Sequence, residues 1–166
     1  NILFIRLGIQ FDNKLLVRGK RLKFIVTPTT GLDHIDLSAA KELGVEVLSL
    51  QGETEFLRNI TATAELTWGL ILSLIRNIPW AFEDVKQSNW DRDSYKGREL
   101  SGKRLGIIGF GRLGEIVASY GIAFGMRVIT YDPYTDKWVQ GIERATTLQQ
   151  LLRNSDICRS LFFHRQ

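Results

Sequence analysis

The residues best placed to do chemistry in this 166-residue chain are Gly109, Gly111 and Gly114, spaced G-x-G-x-x-G in the run GFGRLG, with Asp132 further along. At this spacing three glycines do three different jobs around a dinucleotide. Gly109 permits a tight turn, Gly111 lets the main chain approach a pyrophosphate, and Gly114 lets a helix pack closely on a strand. The helix that follows offers unpaired N–H groups and the positive end of its dipole to the phosphates. Arg112 beside them adds a charge-assisted contact. Asp132 accepts hydrogen bonds from both ribose hydroxyls and repels a 2′-phosphate, which favours NAD over NADP. Such glycine spacing alone is weak, since an ordinary structural turn uses the same residues. Its context adds the weight: Arg104–Ile108 reads as a buried parallel strand, the segment after it as a helix, and Asp132 closes the next strand.

A second stretch, Thr27-Pro28-Thr29-Thr30-Gly31-Leu32-Asp33-His34-Ile35-Asp36, ends a strand in hydroxyl residues and glycine before a capped helix. Amides left unpaired at such a strand end form a nest that suits a carboxylate, although an ordinary βα turn looks the same. His34 reads as a surface or satisfied turn residue, and His164 stands in a terminal tail with no carboxylate to orient it. Neither has the partners a general base needs, so no catalytic residue is assigned. The one cysteine, Cys158, excludes an internal disulfide and a multi-cysteine zinc site, and fits a reducing cytosol. No metal site is expected.

The elements that must position these residues alternate between strand and helix. Ile2–Ile5 and Leu22–Val26 are short apolar runs ending at turn residues. Asp36 caps a helix that Gly44 stops, and Val45–Leu50 is the next strand. Residues 51–59 read as a polar loop. A helix spans Thr61–Asn77, with Ala64, Trp68, Ile71, Leu72 and Ile75 at helical spacing, and Pro79 starts its continuation. After a polar connector at 88–103 come a strand at Leu105–Ile108, a helix at Arg112–Phe124 and a strand at Arg127–Tyr131. Thr147 and Gln150 form a capping box for a short last helix. Alternation of this length predicts an α/β fold of Rossmann-like parallel sheets with helices on their faces, divided near residue 60.

Composition sets the outer limits. Apolar residues make up 44% of the chain, enough for a core, and 22 basic against 18 acidic groups are spread evenly. No tail is basic, so wholesale binding to nucleic acid or an anionic membrane is not the first expectation. The cluster Arg18, Lys20, Arg21 and Lys23 reads as a solvated helix end. The tryptophans at 68, 80, 90 and 138 read mostly as packing residues. Leu66–Ile75 is about half the ~20 residues a bilayer span requires. The chain opens on Asn1 and its only methionine is Met126, from which a cut piece of a longer protein is expected.

Four ordered pieces carry a resemblance: TTGLDHIDLSAAKELGVEV at 29–47, TATAELTWGLILSLIRNIP at 61–79, WDRDSYKGRELSGKRLGIIGFGRLG at 90–114 and FGMRVITYDPY at 124–134. Together they resemble the D-isomer-specific 2-hydroxyacid dehydrogenases, in their D-3-phosphoglycerate dehydrogenase-like branch. The resemblance implies a partial substrate-binding, flavodoxin-like domain at 1–60. It implies the first half of an NAD-binding Rossmann domain at 61–157, and a divergent tail at 158–166. It implies that Thr30 reaches the cofactor and that the backbone near Gly31 holds the carboxylate of a small 2-hydroxy or 2-oxo acid. Arg112 and Leu113 become pyrophosphate-loop contacts, and Asp132 the adenosine-ribose ligand. A cytoplasmic enzyme that forms a homodimer in full length follows from the same resemblance.

The departures matter as much. The family's substrate-binding Arg and its Glu–His acid/base pair have no counterpart here, and Cys158–Gln166 departs from the family's next buried strand. The expected protein is therefore an NAD-binding piece of a dehydrogenase, inactive by itself. The alternatives are a non-catalytic NAD-binding regulator on the same scaffold and, third, a nucleic-acid binder using Arg18–Lys23 and Lys96–Arg104.

Overall fold

Short apolar runs flanked by turn residues become parallel strands in both halves of the chain, and the halves form two units, Asn1–Asn59 and Ile60–Gln166. The structure is a computed structural model that describes residues 1–135 and 139–160. Trp138 and His164 lie outside the described residues.

The first unit contains β1 (Ile2–Phe4), α1 (Asn13–Leu16), β2 (Phe24–Val26), α2 (Leu37–Glu42), β3 (Glu46–Leu48) and α3 (Thr54–Leu57). Its strands pair in parallel in the order β1-β2-β3, with Ile25 level with Leu3 on one side and Val47 on the other. Ile25 is wholly buried and centres a core shared with Phe11, Leu16, Ile35 and Val45. α2 begins where the Asp36 carboxylate accepts the Ala39 amide at 2.9 Å, and Gly44, at φ 66°, turns the chain out of it. α3 falls inside the stretch read as loop. It is a single turn that buries Leu57, too short for any periodicity to reveal it.

The second unit contains α4 (Ala62–Ile75), α5 (Ile78–Lys86), β4 (Arg104–Ile108), α6 (Arg112–Ala123), β5 (Arg127–Tyr131), β6 (Glu143–Arg144), α7 (Leu148–Arg153) and β7 (Ile157–Ser160). Its four parallel strands run in the order β6-β5-β4-β7. By position in the chain that is third, second, first, fourth, which puts the point where the winding reverses beside β4. Side chains of β4 alternate: Leu105 and Ile107 enter the core under α4 and α6, while Ile108 joins Leu151 of α7 on the opposite face. Trp68 of α4 is buried, stacks at 4.8 Å on Phe124 and donates its indole N–H to the Val117 carbonyl of α6 at 3.2 Å. Of the other described tryptophans, Trp80 and Trp90 are exposed, so the packing reading holds for Trp68 alone.

Asn77, at φ 55°, separates α4 from α5, and Pro79 sits in the first turn of α5. The Asn77 carboxamide donates to the Lys96 carbonyl at 3.1 Å, which ties the connector back over the junction. Gly97 passes there because a Cβ would lie 2.5 Å from the Ile75 carbonyl oxygen. At α7 the Thr147 hydroxyl accepts from the Gln150 amide, while the Gln150 side chain returns to the Thr146 amide at 2.7 Å. β7 pairs with β4 through Ser160, three residues into the stretch read as a divergent tail.

Candidate functional site

The glycine run lies where β4 ends. The ladder continues one residue past the strand, the Gly109 amide donating to the Tyr131 carbonyl at 2.9 Å, and the chain then turns at φ 91°. That positive φ is the conformation only glycine adopts without strain. Phe110 buries its ring in the core, which fixes the loop from beneath. Gly111 is extended and caps α6 without a capping side chain, and a Cβ built on it meets nothing within 4 Å. Gly114 is the reverse case, since a Cβ there would collide with the Gly109 carbonyl oxygen. The three glycines thus serve for positive φ, for open approach and for close helix packing. The amides of Gly111, Leu113 and Gly114 donate to no group among the described residues. They form a row of donors at the positive end of a 12-residue helix.

Asp132 follows β5 at the same end of the sheet. Its Oδ2 accepts the Phe110 amide at 2.7 Å and its Oδ1 the Tyr134 amide at 2.8 Å. Two main-chain donors therefore aim the carboxylate, and each oxygen keeps a lone pair for a further donor. The sequence placed Asp132 but did not foresee these two bonds. The Asp-Pro-Tyr run, an Asx-turn pattern, was the available signal for the second. The Arg112 guanidinium donates from Nη1 to the Ile60 carbonyl at 2.7 Å, just before α4. Leu113 is half-buried in the first turn of α6.

Thr30 and Gly31 lie past the end of β2, in the first unit, and both are half-buried. Thr27 and Thr29 share a hydroxyl–hydroxyl bond of 3.0 Å, and Thr29 donates onward to the Gly31 carbonyl at 2.8 Å. The amides of Thr30 and Gly31 donate to no group among the described residues, as a nest requires. His34 corrects the sequence reading, because it is buried and both of its ring nitrogens lack a partner among the described residues. The loop is strapped down around it. Phe11 donates to the His34 carbonyl at 2.7 Å and accepts from Asp36 at 2.9 Å, and Gln10 holds the Asp33 carbonyl at 2.9 Å.

The structure thus gathers Gly109, Gly111, Arg112, Leu113, Gly114 and Asp132 at the carboxyl end of β4 and β5, and places Thr30 and Gly31 at that of β2. Among the described residues no cluster of three or more His, Cys, Asp or Glu could hold a metal. The open side of Gly111, the uncommitted amides and the oriented carboxylate fit a dinucleotide, with pyrophosphate on the helix start and ribose on Asp132.

Known proteins share the sequence and fold of this chain. A family model of the NAD-binding domain of D-isomer specific 2-hydroxyacid dehydrogenases matches residues 68–162. D-3-phosphoglycerate dehydrogenase of Methanocaldococcus jannaschii is 38% identical over 94% of this chain, which covers 29% of that protein. Hydroxypyruvate reductase of Thermotoga maritima is 38% identical over 94% of this chain and 49% of its own length. Among solved structures, the D-lactate dehydrogenase of Aquifex aeolicus, in complex with NAD and lactic acid, superposes with a TM-score of 0.82 at 33% identity. That match covers 96% of this chain and 47% of the Aquifex chain. The chain therefore spans half or less of each of these three relatives.

Proposed function

The chain belongs to the D-isomer specific 2-hydroxyacid dehydrogenases, and we propose that it supplies the NAD-holding half of such an enzyme's cofactor domain, with part of its substrate domain. In this proposal residues 1–60 belong to the substrate domain and 61–157 to the cofactor domain. Gly109 makes the turn, the main-chain amides of Gly111, Leu113 and Gly114 cradle the pyrophosphate, and Arg112 adds charge. Asp132 takes the adenosine ribose. Thr30 reaches the cofactor, and the backbone at Gly31 holds the carboxylate of a small 2-hydroxy or 2-oxo acid. When bound, NAD supplies the hydride acceptor for oxidation at the carbon bearing the hydroxyl. The observation that carries the proposal is the open face of Gly111 beside uncommitted amides and a carboxylate fixed by two main-chain donors.

Calorimetric titration of the 166-residue chain tests it. NAD should bind at least about tenfold more tightly than NADP, because Asp132 repels a 2′-phosphate. Equal affinities, or no binding of NAD at millimolar concentration, would refute the assignment. We propose also that the chain alone does not turn over, since no Arg or Glu–His pair is assigned in it to bind substrate and move the proton. Sustained NADH formation from D-3-phosphoglycerate by the purified chain would contradict that.

Cytoplasmic location and a homodimer complete the proposal. Among the described residues no helix is long and apolar enough to cross a membrane. Leu66, Leu70 and Leu74 form an i, i+4, i+8 stripe on α4, more than half exposed, and Ile78, Phe82 and Val85 extend the exposed apolar surface along α5. Soluble monomers rarely leave so much contiguous apolar surface in water, and a second copy is the occupant we propose. Light scattering should give twice the chain mass, and Leu70→Asp should give a monomer. A monomer for the unaltered chain at tens of micromolar would remove the homodimer.

A further inference from the structure

We infer that the main-chain carbonyl of Ile60 belongs to the cofactor site: it orients the Arg112 guanidinium, so that a pyrophosphate held by Arg112 also holds the segment entering the second unit. The inference deepens the NAD reading above and rests on it. Asn59 ends the first unit and Ile60 begins the second, so this carbonyl sits at the crossing between them along the chain. Arg112 is the first residue of α6, directly after Gly111. The two are separated by 52 positions, yet Nη1 lies 2.7 Å from the Ile60 oxygen, the length of a charge-assisted bond.

A guanidinium is a rigid planar fork of five donors, so committing one edge to a carbonyl fixes the direction of the others. An arginine held in this way loses less side-chain freedom when a phosphate arrives than one waving in water. The frame behind the bond is firm as well. α4 leaves Thr61 and is locked to α6 by the Trp68–Val117 bond, so the first turns of both helices stay in register. Arg58, Asn59 and Ile60 are themselves exposed, which leaves this segment dependent on what ties it down. A phosphate on the guanidinium polarises its other N–H bonds and strengthens the one to Ile60. Linkage makes the effect mutual: if phosphate tightens the segment, loosening the segment weakens phosphate binding by the same factor.

Trypsin cleavage after Arg58, followed by mass spectrometry on the full chain, reads the segment directly. The cut after Lys23 in the first unit serves as reference, and binding is measured by calorimetry on the same samples. Saturating NAD should slow the Arg58 cut about fivefold relative to Lys23, while adenosine, which lacks phosphates, should not. Arg112→Gln should cut faster at Arg58 without ligand, bind NAD more weakly, and gain no protection from it. The comparison of NAD with adenosine on the unaltered chain needs no variant and stands even if Arg112→Gln misfolds. NAD that binds but leaves the Arg58 cut unchanged, or speeds it, overturns the tether and leaves the NAD reading intact. An Arg112→Gln chain that binds NAD as the unaltered chain does also overturns it. Failure of the unaltered chain to bind NAD overturns both.

Discussion

Two alanine substitutions in the glycine run should fail in opposite ways. At Gly114 an added methyl group collides with the Gly109 carbonyl oxygen and lies 3.6 Å from Phe110 Cδ2. Neither neighbour is free to retreat, because the Gly109 amide is fixed in the ladder to Tyr131 and the Phe110 ring is buried. Either α6 lifts or the loop shifts, and overpacking of this kind costs about 1–3 kcal/mol. For a unit of roughly 100 residues that is a fall of about 5–20 °C in Tm. At Gly111 the new methyl group meets open space, and the backbone, at φ −88° and ψ −164°, already suits alanine. A poorer helix cap costs up to about 1 kcal/mol, and a less flexible unfolded chain returns about 0.4–1 kcal/mol. The net change in stability is close to zero. The methyl group nevertheless stands where a pyrophosphate must approach, so NAD affinity should fall at least about tenfold. Circular dichroism melts and calorimetric NAD titrations of both variants separate the two effects. If Gly111→Ala bound NAD normally, or Gly114→Ala melted within about 1 °C of the unaltered chain, the assignment of jobs to these glycines would be wrong.

Three further outcomes follow from single contacts. Asp132→Asn keeps an acceptor for only one of the Phe110 and Tyr134 amides and turns an NH₂ toward the other, so the ligand-free chain should lose about 1–2 kcal/mol in urea unfolding. An unchanged midpoint would mean that the carboxylate has no structural part. Trp68→Phe removes the bond to the Val117 carbonyl and leaves space beside Phe124, a loss of about 1–3 kcal/mol that a denaturant titration reads directly. In the connector the Ser94 hydroxyl, then the Ser94 and Asp93 amides, hold the Asp91 carboxyl below its usual range against a smaller opposing effect of desolvation. Carbon-detected NMR should show it rising in Ser94→Ala. Because the folded value is the lower one, any stabilisation from Asp91 is present above the unfolded pKa and lost as pH falls through the folded value.

What could be read from the sequence follows from where the signal was periodic. Leu105 and Ile107 are apolar on one side of β4, and Val117 and Ala118 face them from α6, so strand, turn and helix each announced themselves around the glycines. α3 has one buried side chain, Leu57, and one turn gives no period to detect. β6 is two charged residues, Glu143 and Arg144, and β7 carries Cys158, Arg159 and Ser160 at the edge of the sheet. Pairing with β5 and β4 makes them strands, not their own composition. His34 was misjudged because the bonds that press its loop inward come from Phe11 and Gln10, more than twenty positions earlier. A residue's burial is decided by partners that local spacing does not reveal.

The same principle separates the identity of the site's residues from its geometry. Asp132 is aimed by the amides of Phe110 and Tyr134, Gly109 is set by the carbonyl of Tyr131, and Arg112 is held by the carbonyl of Ile60. Every one of these partners is main chain: any residue supplies the carbonyls, and any but proline the amides. Residue type is therefore constrained at few positions of the proposed site: three glycines, the aspartate and the arginine. The sequence marked these together with Leu113, Thr30 and Gly31. The rest of the shape is carried by the parallel register of β4 with β5 and by the lock between α4 and α6. Main-chain bonds of this kind fix the glycine turn and the carboxylate without a ligand, so binding need order little there beyond the ligand and the Ile60 segment.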